Sequence, residues 1–197
     1  MSDDVLELQM LIQKAQRGDE AAFEMLLTRY EAVVFRFVYT IVRDREDARD
    51  VTQEIFIKLW QTLPRYRFES AFTTYLMTVS RNAALDFLRK QRRHRENVIS
   101  LTQSDADGEQ ADLTLPDSDE NADPVRSYLL KEQAQMLEKA LLELPEQARE
   151  IIMLRTASGM SYDEIAQTLG IEIGTVKSRL NRAKNQLIKL LEQWNFF

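Results

Sequence analysis

Residues 161–182 read Ser161-Tyr162-Asp163-Glu164-Ile165-Ala166-Gln167-Thr168-Leu169-Gly170-Ile171-Glu172-Ile173-Gly174-Thr175-Val176-Lys177-Ser178-Arg179-Leu180-Asn181-Arg182. Ser161 followed three residues later by Glu164 is a capping box, in which hydroxyl and carboxylate satisfy each other's free backbone N–H. A short helix is predicted to follow, with Ile165, Ala166 and Leu169 inward. Gly170 closes it where the turn needs a positive φ. A second helix is predicted from about Gly174-Thr175. Ala166 is small where two helices cross, and Val176 and Leu180 anchor the second helix on the first. On the second helix Val176, Leu180, Ala183, Leu187 and Leu191 share one face. Lys177, Ser178, Asn181, Arg182 and Asn185 share the opposite one, flanked by Arg179 and Lys184. The pattern is a helix-turn-helix. Its outer face suits DNA, because Arg and Asn reach guanine and adenine edges bidentately while Lys and Ser hold phosphates or single acceptors. From Ile173 to Leu191 there are five bases and no acid.

Upstream, Arg126 to Leu142 is apolar at helical spacing. Pro145 sits where a first helical turn tolerates it, Ile151, Ile152 and Leu154 follow, and Gly159 ends that helix. Before this block lie eight acids and no base between Ser104 and Asp123: Asp105, Asp107, Glu109, Asp112, Asp117, Asp119, Glu120 and Asp123. With no aromatic residue and almost no apolar periodicity, the stretch is predicted to be a flexible acidic linker over 96–124. It divides the chain into blocks 1–95 and 125–197. The net charge of −6 therefore misleads as an average, since outside the linker the chain is net positive. Arg81 to Arg95 adds six bases against one acid.

In the first block, Val5 to Arg17 is predicted helical, stopped by Gly18, with Asp19 capping the next helix. That second helix carries Phe23, Leu26, Leu27, Tyr30, Val34, Phe37, Val38 and Ile41 at spacings of three and four. A third runs from about Arg45 to Leu63, burying Ala48, Ile55, Phe56, Leu59 and Leu63. Asp47, Asp50 and Glu54 fall on its other face, as a solvated surface or as a dock for a basic partner. Arg65 to Phe72 interleaves Tyr66, Phe68 and Phe72 with Arg65 and Arg67 between two helices. Aromatics beside cations suit unstacked bases, and equally suit plugging a core. A fourth helix, about Ala71 to Arg93, has Phe72, Leu76, Val79, Ala83 and Phe87 as its apolar stripe. Thr74, Thr78, Arg81, Arg89 and Arg92 project roughly opposite, with Asn82 at the edge. That basic, hydroxyl-bearing face fits phosphate positioning with some base readout.

Composition narrows the chemistry. Five glycines and four prolines in 197 residues leave few special turns, so the fold class expected is all-α, two small helical domains on a linker. No cysteine means no disulfide, no thiolate metal site and no thiol nucleophile. A single histidine, His94, leaves no imidazole cluster. No metal, cofactor or catalytic residue is expected. No apolar run approaches a membrane span, and Ser2-Asp3-Asp4 is unlike a signal peptide, so a cytoplasmic protein without membrane insertion is expected.

Together the residues resemble the bacterial RNA polymerase sigma factors of the extracytoplasmic-function (ECF) type. Asp44-Arg45-Glu46-Asp47-Ala48-Arg49-Asp50-Val51-Thr52-Gln53-Glu54-Ile55-Phe56-Ile57-Lys58-Leu59-Trp60 is similar to the family's polymerase-binding helix. Phe72-Thr73-Thr74-Tyr75-Leu76 through Arg81-Asn82-Ala83-Ala84-Leu85-Asp86-Phe87-Leu88-Arg89 resembles its segment for promoter melting and minus-10 recognition. Leu144-Pro145-Glu146, the capping box and Gly174-Thr175-Val176-Lys177-Ser178-Arg179-Leu180 resemble the domain that reads the minus-35 element. The resemblance implies polymerase contacts at Asp47, Asp50, Gln53 and Glu54. It implies minus-10 contacts at Phe68, Glu69, Ser70, Phe72, Thr74, Thr78, Arg81, Asn82 and Arg89, with a pocket for a flipped base in the loop. It implies minus-35 contacts at Thr175, Lys177, Ser178, Arg179, Asn181 and Arg182. The implied partners are core RNA polymerase, promoter DNA and an anti-sigma protein.

Three other readings compete. A free-standing helix-turn-helix regulator needs a dimer interface, for which Leu187 to Phe197 with Trp194, Phe196 and Phe197 is the one candidate. A nucleic-acid enzyme needs metal-binding acids beside the basic faces, whereas the dense acids lie in the linker. A protein-only adaptor has no use for a basic reading helix.

Overall fold

The computed structural model describes the backbone of residues 3–99, 124–194 and 196, with side chains from 4 to 94, from 132 to 194 and at 196. All regular structure among these residues is helical: α1 (Asp3–Gln16), α2 (Glu20–Val42), α3 (Arg45–Thr62), a 3-10 turn (Leu63–Arg65), α4 (Phe72–Ile99), α5 (Pro124–Glu143), α6 (Glu146–Thr156), α7 (Tyr162–Leu169) and α8 (Ile173–Gln193). The acidic stretch from Ser104 to Asp123 lies outside the described residues.

Local chemistry sets most boundaries. Gly18 takes φ +88° after α1, and the Asp19 carboxylate accepts from the Ala22 N–H at 3.0 Å to start α2. Asp44 does the same for α3 through the Asp47 N–H at 2.9 Å. Pro64 ends α3 and tightens the chain into the 3-10 turn. The α7 capping box is present in both directions, Ser161 N–H to Glu164 at 2.7 Å and Glu164 N–H to Ser161 at 3.3 Å. Gly170 caps α7 at φ +65°. α8 begins one residue before the expected Gly174, because Glu172 is extended and serves as N-cap. α4 runs on to Ile99, beyond the Arg93 and residue-95 limits expected, since its basic run holds no helix breaker.

α2 forms the centre of the first block, packed by α1, α3 and α4 through Leu26, Val34, Phe37 and Val38, all fully buried. α6, α7 and α8 form the second block around Ile151, Leu154, Ile165, Val176 and Leu180. The two helical blocks pack on each other. α6 lies against α2 and α7 against α4, and one continuous cluster of buried residues runs through both blocks. The cross-block packing explains a difference on α4. Leu76 is buried as expected, but so are Met77 and Ser80, while Val79, Ala83 and Phe87 are only half-buried. α4 is covered from two sides, not one.

Candidate nucleic-acid interface

The loop between the 3-10 turn and α4 is built around Tyr66. Its hydroxyl donates to the Ser70 carbonyl at 2.6 Å, closing the loop on itself. Gln16, the last residue of α1, donates through Nε2 to the carbonyls of Leu63 at 3.0 Å and Tyr66 at 2.7 Å, pinning the loop from behind. Phe68 takes φ +59°, a left-handed conformation that costs an aromatic residue about 1–2 kcal/mol. Its ring lies 4.8 Å from that of Tyr66 and remains 37% exposed. Glu69 is exposed and Ser70 half-buried. Phe72 differs: it is buried, edge-on to Tyr30 at 5.3 Å and Tyr66 at 5.8 Å. As the first residue of α4 it points into the core, so Phe68 is the aromatic of this stretch that faces solvent. Replacing Gln16 with alanine strips a donor from two carbonyls. A loss of about 1–2 kcal/mol is expected in urea denaturation, with faster amide exchange across residues 66–71.

The polar side of α4 is divided. Asn82 and Arg89 are exposed, Arg89 holding only Asp86 at 2.7 Å. Thr74, expected on the outer face, is instead 2% exposed and donates to Glu164 Oε1 at 3.1 Å. Thr78 is half-buried and lies 3.4 Å from the Thr168 hydroxyl. Arg81 pairs through Nε with the buried Glu150 carboxylate of α6. Burial, the largest influence, pushes the Glu150 carboxyl above its ordinary range, opposed by the hydrogen bond and charge of Arg81 and more weakly by Arg179. Burial also acts upward on Glu164, but hydrogen bonds from Ser161 and Thr74 outweigh it and hold that carboxyl below its usual value.

On α3, Asp50, Gln53 and Glu54 are exposed along one face. Asp47 is half-buried and accepts from Gln91 of α4 at 3.2 Å. Between α3 and α4 runs an open groove of about 500 Å³, lined by Glu54, Lys58, Asp86, Lys90, Gln91 and His94 among others. Its charges are mixed, and among the described residues no cluster of His, Cys, Asp or Glu could hold a metal ion. No helix among them is long and apolar enough to cross a membrane.

α8 is divided as its sequence predicts. Val176, Leu180, Ala183 and Leu191 are buried. Lys177, Ser178, Asn181 and Arg182 are exposed, with Thr175 and Arg179 half-buried at the flank. Arg182 rests on the Ser178 carbonyl at 3.3 Å, a weak local bond that a stronger acceptor readily replaces.

Three residues that organise these surfaces went unread in the sequence: Gln16, Arg149 and Glu150. Arg149 is buried and donates to the carbonyls of Thr40 at 2.8 Å, Leu142 at 3.1 Å and Leu144 at 2.6 Å. A single polar residue in a helix has no periodicity to betray it. The one available signal is the adjacency of Arg149 and Glu150 to Ile151 and Ile152, which leaves no purely solvent face there.

Residues 26–94 match the family description "Sigma-70 region 2", and residues 134–187 match "Sigma-70, region 4". The RNA polymerase sigma-H factor of Pseudomonas aeruginosa is 34% identical over 184 residues, 93% of each chain. The ECF RNA polymerase sigma-E factor of Escherichia coli is 34% identical over 187 residues, 95% of each chain. Among solved structures, the sigma factor RpoE in complex with the anti-sigma factor NepR from Bartonella quintana superposes with a TM-score of 0.64 at 27% identity. It covers 86% of this chain and 96% of that one. The structure of CnrH in complex with the cytosolic domain of CnrY shares the fold, with a TM-score of 0.62 at 22% identity, over 93% of this chain and 96% of that one. Both conserved regions are present in order, and the relatives are matched over nearly their full length, which disfavours a free-standing regulator. With both regions and nearly full-length relatives matched, the chain belongs to the ECF-type RNA polymerase sigma factors, and is a promoter-directing transcription initiation factor.

Proposed function

We propose that three surfaces divide the work of initiation. Asp47, Asp50, Gln53 and Glu54 on α3 dock on core RNA polymerase. The loop at Phe68, Glu69 and Ser70, with Thr74, Thr78, Arg81, Asn82 and Arg89 of α4, engages the minus-10 element. Thr175, Lys177, Ser178, Arg179, Asn181 and Arg182 at the start of α8 read the minus-35 element in the major groove. Phe72 supports the loop from the core. The two helical blocks, ending at Ile99 and resuming at Pro124, act as the two DNA-engaging domains, with the acidic stretch between them as the tether. Tethering on the polymerase supplies affinity that one small module lacks. Stacking of an unpaired base on Phe68 offsets part of the melting cost, so strand opening needs no ATP hydrolysis by this chain. The protein works by binding alone in the cytoplasm, without a catalytic residue or cofactor. The RpoE neighbour is bound to an anti-sigma factor, and an anti-sigma protein is the regulatory partner proposed here.

The observation that carries this assignment is α8: an apolar face locked into the block and an exposed face holding Lys177, Ser178, Asn181 and Arg182. Arg182→Ala is expected to lower transcription by the reconstituted holoenzyme about tenfold, the loss of one good base or phosphate contact, with thermal stability unchanged. The double reversal Asp50→Lys/Glu54→Lys is expected to abolish co-elution with core polymerase in size-exclusion chromatography. Its binding to duplex DNA should persist. Transcription undiminished by both sets of changes would refute the assignment.

A further inference from the structure

Resting on the minus-35 assignment above, we propose that Glu172 and Ile173, just ahead of the assigned reading residues, form a two-base reader. The Ile173 side chain packs on a thymine methyl group, and the Glu172 carboxylate accepts from the N4 amino group of a cytosine.

The start of α8 breaks the local rules that α7 obeys. α7 opens on Ser161, whose hydroxyl caps the backbone and is answered by Glu164. α8 opens on Glu172, extended at φ −67° and ψ 145°, whose side chain makes no cap bond. Asp, Asn, Ser or Thr is the usual choice there. The helix dipole favours the Glu172 charge, but it favours equally any carboxylate in the first turn. Only the Glu172 carbonyl serves the helix, accepting from the N–H groups of Thr175 at 2.9 Å and Val176 at 3.0 Å. Among the described residues no basic side chain forms an ion pair with Glu172. Ile173 follows at 38% exposure. The apolar contact that fixes entry into a helix joins the residue before the cap to the fourth residue inside. Here these are Ile171 and Val176; Val176 is in the core cluster and Ile171 is packed against it, whereas Ile173 stands outside. Next, Gly174 keeps ordinary backbone angles, and a β-carbon added there meets nothing within 4 Å. The fold thus has room for alanine, which suits a helix better. Glycine leaves the first turn low, so that a second surface can come close. Three successive residues give up helix stability, as expected where a site rather than the fold sets the choice.

Both side chains lie on the DNA side. Ile173 heads the row that continues with Lys177 and Asn181 at intervals of four. Glu172 lines an open hollow of about 580 Å³ together with Gln167, Thr175 and Arg179, and the last two are already assigned to DNA. In a helix-turn-helix the first residues of the second helix meet the base edges. Chemistry then sorts the targets. Glu172 is the single acid from Ile165 to Leu191. Phosphates repel it, and a base edge without a donor strands its charge. The adenine amino group sits beside the N7 acceptor, which also repels a carboxylate, so cytosine N4 is the donor that fits. Ile173 has no polar atom and fits the one apolar group of the major groove, the thymine C5-methyl.

The reconstituted holoenzyme tests this on the minus-35 element selected from a random promoter library. Each thymine of the element is replaced in turn by deoxyuridine, which removes only the methyl group. The parent is expected to lose about fourfold in competition binding at one thymine, the value of one buried methyl group. Ile173→Ala should lose nothing further at that position. Glu172→Gln is expected to move the preference at one base pair from cytosine to adenine by about tenfold, because a glutamine amide pairs with adenine N6 and N7. Both readouts are base-specific, whereas damage to the fold weakens binding to every element alike. An element without thymine, or uracil substitutions that cost the parent nothing or cost Ile173→Ala as much, would overturn the proposal. So would a base preference unmoved by Glu172→Gln. The minus-35 assignment fails separately: Arg182→Ala then leaves the element as sharply defined as before. If Arg182→Ala relaxes the element while neither test above responds, the two-base reader alone falls.

Discussion

An Arg149→Met chain is expected to lose about 3 kcal/mol of stability in urea denaturation, the largest stability effect foreseen for a single polar substitution here. The guanidinium has no carboxylate bonded to it. It is compensated by three carbonyls, two at the end of α5 and one near the end of α2. Helix C-termini carry unpaired carbonyls and partial negative charge, which together accommodate a buried cation. Burial is the main reason that the Arg149 pKa is drawn down, with Arg43 adding to it and Glu146 opposing. Methionine fills much of the volume but donates nothing. The Thr40 and Leu144 carbonyls would then lose a buried donor, while Leu142 keeps Arg43 at 2.7 Å. Arg149→Lys should recover only part of the loss, since an ammonium lacks the planar fork that reaches carbonyls from two helices at once. A shift in midpoint equal for both variants and under about 1 kcal/mol would contradict the role given to the fork.

The second large effect is on function. Phe68→Ala is expected to reduce open-complex formation by about 10- to 100-fold, the value of one stacked base, measured by permanganate reactivity of unpaired thymines. Closed-complex formation on the same duplex should change little, because Lys177, Asn181 and Arg182 are untouched. Stability should also change little. The substitution gives up an aromatic contact with Tyr66 worth about 1 kcal/mol, and alanine relieves little of the left-handed strain. Phe68→Gly separates the two contributions: it should restore or raise stability by easing φ +59° while leaving strand opening impaired. Phe72→Ala provides the contrast. Removing that buried ring should cost about 3–5 kcal/mol of stability, so its effect on opening follows from loss of the fold.

What was legible in the sequence was what is local. Asp19, the Ser161–Glu164 capping box and Gly170 act on backbone groups within four residues, and each is found in its expected role. The α8 stripe was legible because one face of that helix meets one neighbour. α4 was not, because two neighbours bury it. Thr74 and Arg81 look like solvent-facing residues until α6 and α7 arrive with Glu150 and Glu164 from about 70 to 90 positions along the chain. Phe68 and Phe72 could not be ranked by spacing, since a loop has no period. Only the left-handed turn at Phe68 decides which ring faces out. Gln16 is the same case at smaller scale: its partners, Leu63 and Tyr66, are distant in sequence and are backbone carbonyls without a residue signature.

The central claim is that this chain gives core polymerase a promoter preference through two DNA-reading surfaces. In vitro transcription with purified core polymerase on a library of random promoter fragments, with and without the protein, tests it most directly. Transcripts that appear only when the protein is added, from fragments sharing two separated sequence elements, are the predicted result. Arg182→Ala should then relax the upstream element and Phe68→Ala should weaken dependence on the downstream one. No protein-dependent transcript, together with tight binding of the protein alone to a two-fold-symmetric duplex site, would contradict the account.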